Sequence, residues 1–150
     1  MKMLNHCSID FTSIPENVGF ARVAIAAFAS QLDCTLPELE EIKVAVSEAV
    51  GNAILHGYRN KPDKIVRVTA TIYKEGLEIQ VADEGIGIRD IHLAMQPAYS
   101  TDPERMGLGF VFMQSFSDRM QVDSQPEKGT TVTMFKRIGL RGARARTRAN

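Results

Sequence analysis

Across the loop from Tyr58 to Asp63 the hydrophobic period of this chain changes from three-and-four to two, and that change limits what the chain can fold into. Ahead of the loop, apolar residues recur at intervals of three and four. Val18, Ala21, Ile25, Phe28, Ala29 and Leu32 form one stripe, and Leu39, Ile42, Val46, Ala49, Val50 and Ala53 form another. Beyond it they alternate. Val66, Val68, Ala70 and Ile72 interleave with Arg67, Thr69 and Thr71, and after a Glu75-Gly76 turn Leu77, Ile79 and Val81 interleave with Glu78 and Gln80. A helix over 15–32, a second from Thr35 to near Gly57, and a hairpin are therefore predicted. Thr35 with Glu38 makes a capping box, and Pro37 suits the first turn. A strand over 4–11 precedes the helices, with Cys7, Ile9 and Phe11 on one face. After the hairpin come a weak helical patch to Met95, a polar loop without a period over 97–106 that reads as mobile, and a third helix opening at Gly107-Leu108-Gly109 and running through Phe116. Met120 to Val122 and Thr131 to Phe135 read as strands joined by Pro126-Glu127-Lys128-Gly129. The expected class is α+β: a two-layer sandwich with a mainly antiparallel, mixed sheet and helices on one face.

Composition enters where it excludes. With 150 residues and 44% hydrophobic content, one self-sufficient core is expected, without disulfides or a structural metal. Cys7 and Cys34 have no CxxC spacing. No apolar run approaches the roughly 20 residues of a membrane span, and the first residues lack a signal-peptide core, so a cytoplasmic protein is expected. The zero net charge hides a segregation. Six basic and no acidic residues lie from Lys136 onward, leaving 12 basic and 18 acidic before it, a formal charge of −6 that argues against direct nucleic-acid binding. The division expected is a domain over 1–138 and a basic, solvated tail over 139–150.

Four short motifs carry chemistry. Glu48, Asn52 and His56 follow one another at i, i+4 and i+8, so they line one helix face away from the apolar stripe. A hard amide oxygen one turn from a carboxylate suits a magnesium nucleotide, with the carboxylate able to deprotonate a hydroxyl; a solvated helix face carries such a stripe equally well. Asp83-Glu84-Gly85-Ile86-Gly87-Ile88 ends a strand with glycines that let backbone approach a flat ligand, and Asp83 can accept from an amino group; a glycine turn with an exposed Asp accounts for the run equally well. Arg105-Met106-Gly107-Leu108-Gly109 pairs an arginine with exposed amides at a helix start, a favourable place for phosphate. Gly129-Thr130-Thr131 offers hydroxyls to a base or water, or simply opens a strand.

Taken together and in this order, SEAVGNAILHG over 47–57, DEGIGI, MGLGF and GTT resemble the N box and glycine boxes of the gyrase, heat-shock chaperone and histidine-kinase ATP-binding superfamily. Within it, Phe20-Ala21-Arg22-Val23, Gln31-Leu32-Asp33, SEAVGNAILHGY and Gln96-Pro97 resemble the anti-sigma factors that are serine kinases, the sporulation sigma-F branch most of all, over residues 8 to 135. The resemblance implies an ATP/ADP site with Mg²⁺. It puts a general base at Glu48, the magnesium ligand at Asn52, adenine contacts at Asp83, Gly85, Gly87 and Thr130, and a phosphate-covering segment at Arg105, Gly107, Leu108 and Gly109. It further implies a homodimer that binds a sigma factor (sigma F) and phosphorylates a serine of an anti-anti-sigma factor, with Arg22 touching both partners. Between Pro103 and Gly107 the chain is shorter than that branch's pattern. Open beside this reading stand a nucleotide-gated sigma-binding protein without catalysis, the equivalent kinase of a stress-response sigma factor, and a histidine-kinase fragment.

Overall fold

The chain commits to its helices at a capping box that forms as the sequence predicts. In a computed structural model that describes residues 1–95 and 109–140, the Thr35 hydroxyl accepts from the Glu38 amide at 3.2 Å. The Glu38 carboxylate in turn accepts from the Thr35 amide at 3.0 Å. Two of the donors that a helix start leaves orphaned are thus satisfied before α2, Leu36–Asn52, begins. Helix α1, Glu16–Ala29, stops three residues before the apolar stripe does. Ser30 turns its hydroxyl back onto the Ala27 carbonyl at 2.6 Å, and Leu32, freed from the helix, pairs as an isolated bridge with Leu140.

Strands β1 (Met3–Thr12), β2 (Ile65–Tyr73), β3 (Gly76–Asp83), β4 (Arg119–Gln125) and β5 (Gly129–Arg137) lie in the order β1-β2-β3-β5-β4. Every pairing is antiparallel. The mixed component expected from the sequence is therefore absent among the described strands. β3 and β4 do run the same way, joined by a crossover that contains α3 (Ile91–Ala94) and α4 (Gly109–Phe116), but β5 folds back from β4 into the gap between them.

The alternation read in the sequence sorts the sheet. Val66, Val68, Ala70 and Ile72 of β2 and Leu77, Ile79 and Val81 of β3 are buried, and so are Ile25, Ile42, Val46 and Val50 from α1 and α2, with Met113 from α4. Their partners on the other face are polar. Gln80 donates to Thr133 at 3.3 Å, His6 shares a 2.8 Å hydrogen bond with Thr71, and Arg67 forks onto Asp10 at 2.8 and 3.0 Å. Both helices therefore cover one face, and the carboxyl end of β3 opens toward the last turns of α2. Gly139 and Leu140, expected in the tail, also return to the body: the Asp33 amide donates to the Gly139 carbonyl at 2.9 Å, beside the Leu32–Leu140 bridge.

Candidate functional site

Helix α2 does not end as an ordinary helix. Ala53–Gly57 continues it as a π-helical turn, with the Tyr58 amide reaching the Ala53 carbonyl at 2.9 Å. Such turns widen the helix and are common at functional sites. This one delivers the backbone of Gly57 to the end of β3. A β-carbon on Gly57 would stand only 2.7 Å from an Asp83 carboxylate oxygen, and one on Gly85 would collide with the Gly57 carbonyl. The two glycines thus let strand end, loop and helix end meet at a separation that no side chain permits.

The loop after Asp83 is pinned through alternate amides. Glu84 donates to the Tyr58 hydroxyl at 2.7 Å, Ile86 to the Gly57 carbonyl at 2.9 Å, and Ile88 to the Ser124 hydroxyl at 2.8 Å. Tyr58 passes its own proton to the Ile65 carbonyl at 2.6 Å, so one buried phenol ties the start of β2 to the loop. Burial pushes that phenol's pKa up, opposed by its bond to the Glu84 backbone and assisted by the charges of Asp83 and Glu84. Burial also pushes the Asp83 carboxyl up to about 6, against the pull of backbone hydrogen bonds from Gly85 and Thr130. One of its oxygens accepts from the Gly85 amide at 2.9 Å.

Asp83, Gly87 and Thr130 line one cavity of about 900 Å³ together with Asn52, His56 and Gly109. Glu48 and Asn52, both half-buried, stand beside Gly109 in the first turn of α4: a β-carbon there would lie 3.0 Å from the Asn52 amide nitrogen and 3.2 Å from a Glu48 oxygen. Asn52 and the helix N-terminus at Gly109 therefore share one wall, with the Glu48 carboxylate against Gly109 but outside the lining, and the buried Asp83 carboxyl and the Thr130 hydroxyl share another. Gly85 packs behind Asp83 and shapes the loop from outside the lining. Arg22 lies apart, exposed on α1, where its guanidinium donates to the Ser47 hydroxyl at 3.2 Å. Arg105, Gly107, Leu108 and the expected mobile loop over 97–106 lie outside the described residues, as do positions 141–150 of the basic tail.

Sequence reasoning passed over Tyr58, read only as the start of a loop, and Ser124. The latter had a visible signal: Met120, Val122 and Ser124 alternate along β4, so a hydroxyl occupies an inward position on an otherwise apolar face.

Residues 11–136 match the family model for the histidine kinase-like ATPase domain. An anti-sigma F factor of Oceanobacillus iheyensis is 48% identical over 138 residues, 91% of this chain and 94% of that protein. The chain belongs to the anti-sigma F factor family. It is an anti-sigma factor on a kinase-like ATPase fold, a fold that binds nucleotide. Another family member, from Thermoanaerobacter, is 49% identical over 141 residues, 93% of this chain and 98% of its own. Among solved structures, one holding the RsbU and RsbW domains of a Mycobacterium tuberculosis protein superposes with a TM-score of 0.62 at 16% identity, over 90% of this chain and 33% of that one. The histidine kinase domain of a blue-light activated kinase from Erythrobacter litoralis gives 0.53 at 20% identity, over 87% and 63%. At those identities the superpositions speak for the fold. Among the described residues, no helix is long and apolar enough to cross a membrane.

Proposed function

We propose that this chain is an ATP-dependent protein serine kinase that also holds a sigma factor, sigma F, inactive, and that its phosphate acceptor is a serine of an anti-anti-sigma factor. The reading rests on one observation above the others: Glu48 and Asn52 both pack beside Gly109, and Asn52 and Gly109 line the cavity that Asp83 and Thr130 also line. A protein that only gated sigma binding with nucleotide would need Asp83 and Thr130 and not Glu48 and Asn52.

The residues fit the ligand in kind. The buried Asp83 carboxyl, which lines the cavity, accepts from an exocyclic amino group, and Gly57, Gly85 and Gly129 let the surrounding backbone pack closely enough to hold it there. Gly87 and Thr130 complete that end of the cavity. Asn52 offers a hard amide oxygen to Mg²⁺, which when bound neutralises phosphate charge. Arg105, Gly107, Leu108 and the first amides of α4 at Gly109 serve the phosphates. Glu48 takes the proton of the incoming serine hydroxyl as its oxygen bonds to the γ-phosphorus. The bond from that phosphorus to the β-phosphate oxygen breaks, and ADP leaves. Arg22, exposed and free of the cavity, is the partner contact on α1, used by sigma factor and substrate in turn. The working unit is a cytoplasmic homodimer with no direct role for nucleic acid, and its domain spans 1–138 with a basic tail beyond, of which Gly139 and Leu140 pack back on the body.

The test is phosphate transfer from labelled ATP to the anti-anti-sigma factor, with sigma binding measured in parallel. Glu48→Gln is expected to abolish transfer and retain sigma binding. Undiminished transfer by that variant would remove Glu48 as base, and no transfer by the unaltered chain would leave the gating protein in its place.

A further inference from the structure

Ser124 sits where three backbone and side-chain groups converge. Its oxygen accepts from the Ile88 amide at 2.8 Å, it donates to the Gly129 carbonyl at 3.1 Å, and it lies 2.8 Å from the Thr130 hydroxyl, where either atom can be the donor. A serine hydroxyl has one proton and two lone pairs. With the Ile88 amide taking one lone pair, the remaining proton has two claimants, Gly129 and Thr130. If it goes to Gly129, Thr130 gives its own proton to Ser124 and turns lone pairs to the cavity. If it goes to Thr130, the Thr130 proton is free to point into the cavity. Thr130 is only 9% exposed, so it has little water to fall back on and its polarity is settled by this neighbour.

We infer that Ser124 is a positioning residue of the nucleotide site: acting through Thr130, it sets the hydrogen-bond polarity at the base end of the cavity and couples it to the loop that carries Asp83. The inference rests on the nucleotide reading above. Ser124 is itself absent from the lining of the cavity, so it works at one remove. It is also the one hydroxyl of β4, and it ties that strand to the loop at the Ile88 amide.

A double-mutant cycle on ADP binding separates action through Thr130 from a merely structural contribution. Calorimetry is run on the whole chain and on Ser124→Ala, Thr130→Val and the double variant, with Ser124→Thr keeping the hydroxyl. Ser124→Ala and Thr130→Val are each expected to weaken ADP about three- to tenfold, the loss of one hydrogen bond. The double variant binds as Thr130→Val does, and Ser124→Thr returns to within about twofold of the starting affinity. Unchanged affinity in Ser124→Ala, penalties that multiply in the double variant, or no rescue by threonine would each overturn the inference while leaving the nucleotide reading intact. An unaltered chain that binds no ADP, or a Thr130→Val variant with full affinity, would overturn the reading of the base end and this inference with it.

Discussion

The two walls of the cavity are built from different material. Around Asp83 the closest contacts are backbone against backbone, with Gly57 against the Asp83 carboxylate besides. A β-carbon on Gly85 would strike the Gly57 carbonyl, one on Gly87 the Gln125 carbonyl, and one on Gly129 the Asp83 carbonyl. Around Glu48 and Asn52 they are side chains on one helix face, and a β-carbon on Gly109 would meet only those side-chain atoms, at 3.0 to 3.3 Å. Backbone cannot rotate away, and side chains can. The base wall is therefore inseparable from the fold, since the same contacts that shape the ligand space join β3, β5 and the π-turn. The Glu48 and Asn52 side is mounted on a helix whose stability comes from its opposite, apolar face.

That contrast can be broken by substitution, and the largest effect belongs to the base wall. Gly129 combines a φ of +113° with its contact against Asp83, so Gly129→Ala is expected to lose about 3 kcal/mol or more of stability and ADP binding with it. Urea denaturation checks this, and a midpoint within error of the unaltered chain would show that the backbone there can yield. Next in size, Glu48→Gln should slow phosphate transfer by about 10²- to 10⁴-fold. Its unfolding free energy is expected to stay within about 0.5 kcal/mol. Loss of stability comparable to the loss of rate would erase the distinction between the two walls.

Asp83 supplies a smaller, pH-dependent effect whose sign is fixed. Its carboxyl ionises at about 6 in the fold against an ordinary 3.8, so burial favours the neutral form. Stability from that difference is complete below 3.8 and is lost as the pH rises through about 6. Asp83→Asn should therefore stabilise the empty protein at pH 8, by about 1 to 3 kcal/mol, and the gain should vanish below pH 4. Urea midpoints at the two pH values decide it; a gain that is equal at both would have another cause. Smallest is Tyr58→Phe. It leaves the Glu84 amide and the Ile65 carbonyl without their shared partner at a cost of about 1 to 2 kcal/mol, seen as faster hydrogen exchange at Glu84. Unchanged exchange there would mean that water replaces the phenol.

Most of the scaffold was legible because each element obeys a local rule. The capping box at Thr35, the stripe over Ile42, Val46 and Val50, and the alternation over Val66 to Val81 involve residues close in sequence. What escaped depends on partners far apart. Nothing near Ala53 in the chain announces a π-turn, and the insertion of β5 between β3 and β4 is decided by strand pairing at long range. The first helix stops at Ala29, and Leu32 instead pairs with Leu140, more than a hundred residues away. In the site, Asp83 and Asn52 could be picked out as chemical types, whereas the contact of Gly57 with Asp83 and the bridge from Tyr58 to Glu84 exist only once the π-turn has formed.

The central claim is that the cavity is an adenine-nucleotide site organised around Asp83, and calorimetric titration with Mg-ADP at pH 8 tests it most directly. The unaltered chain is expected to bind one nucleotide per cavity, and Asp83→Asn, though more stable when empty, to bind at least about tenfold more weakly. Equal affinity in the two proteins, or no binding to either, would contradict it.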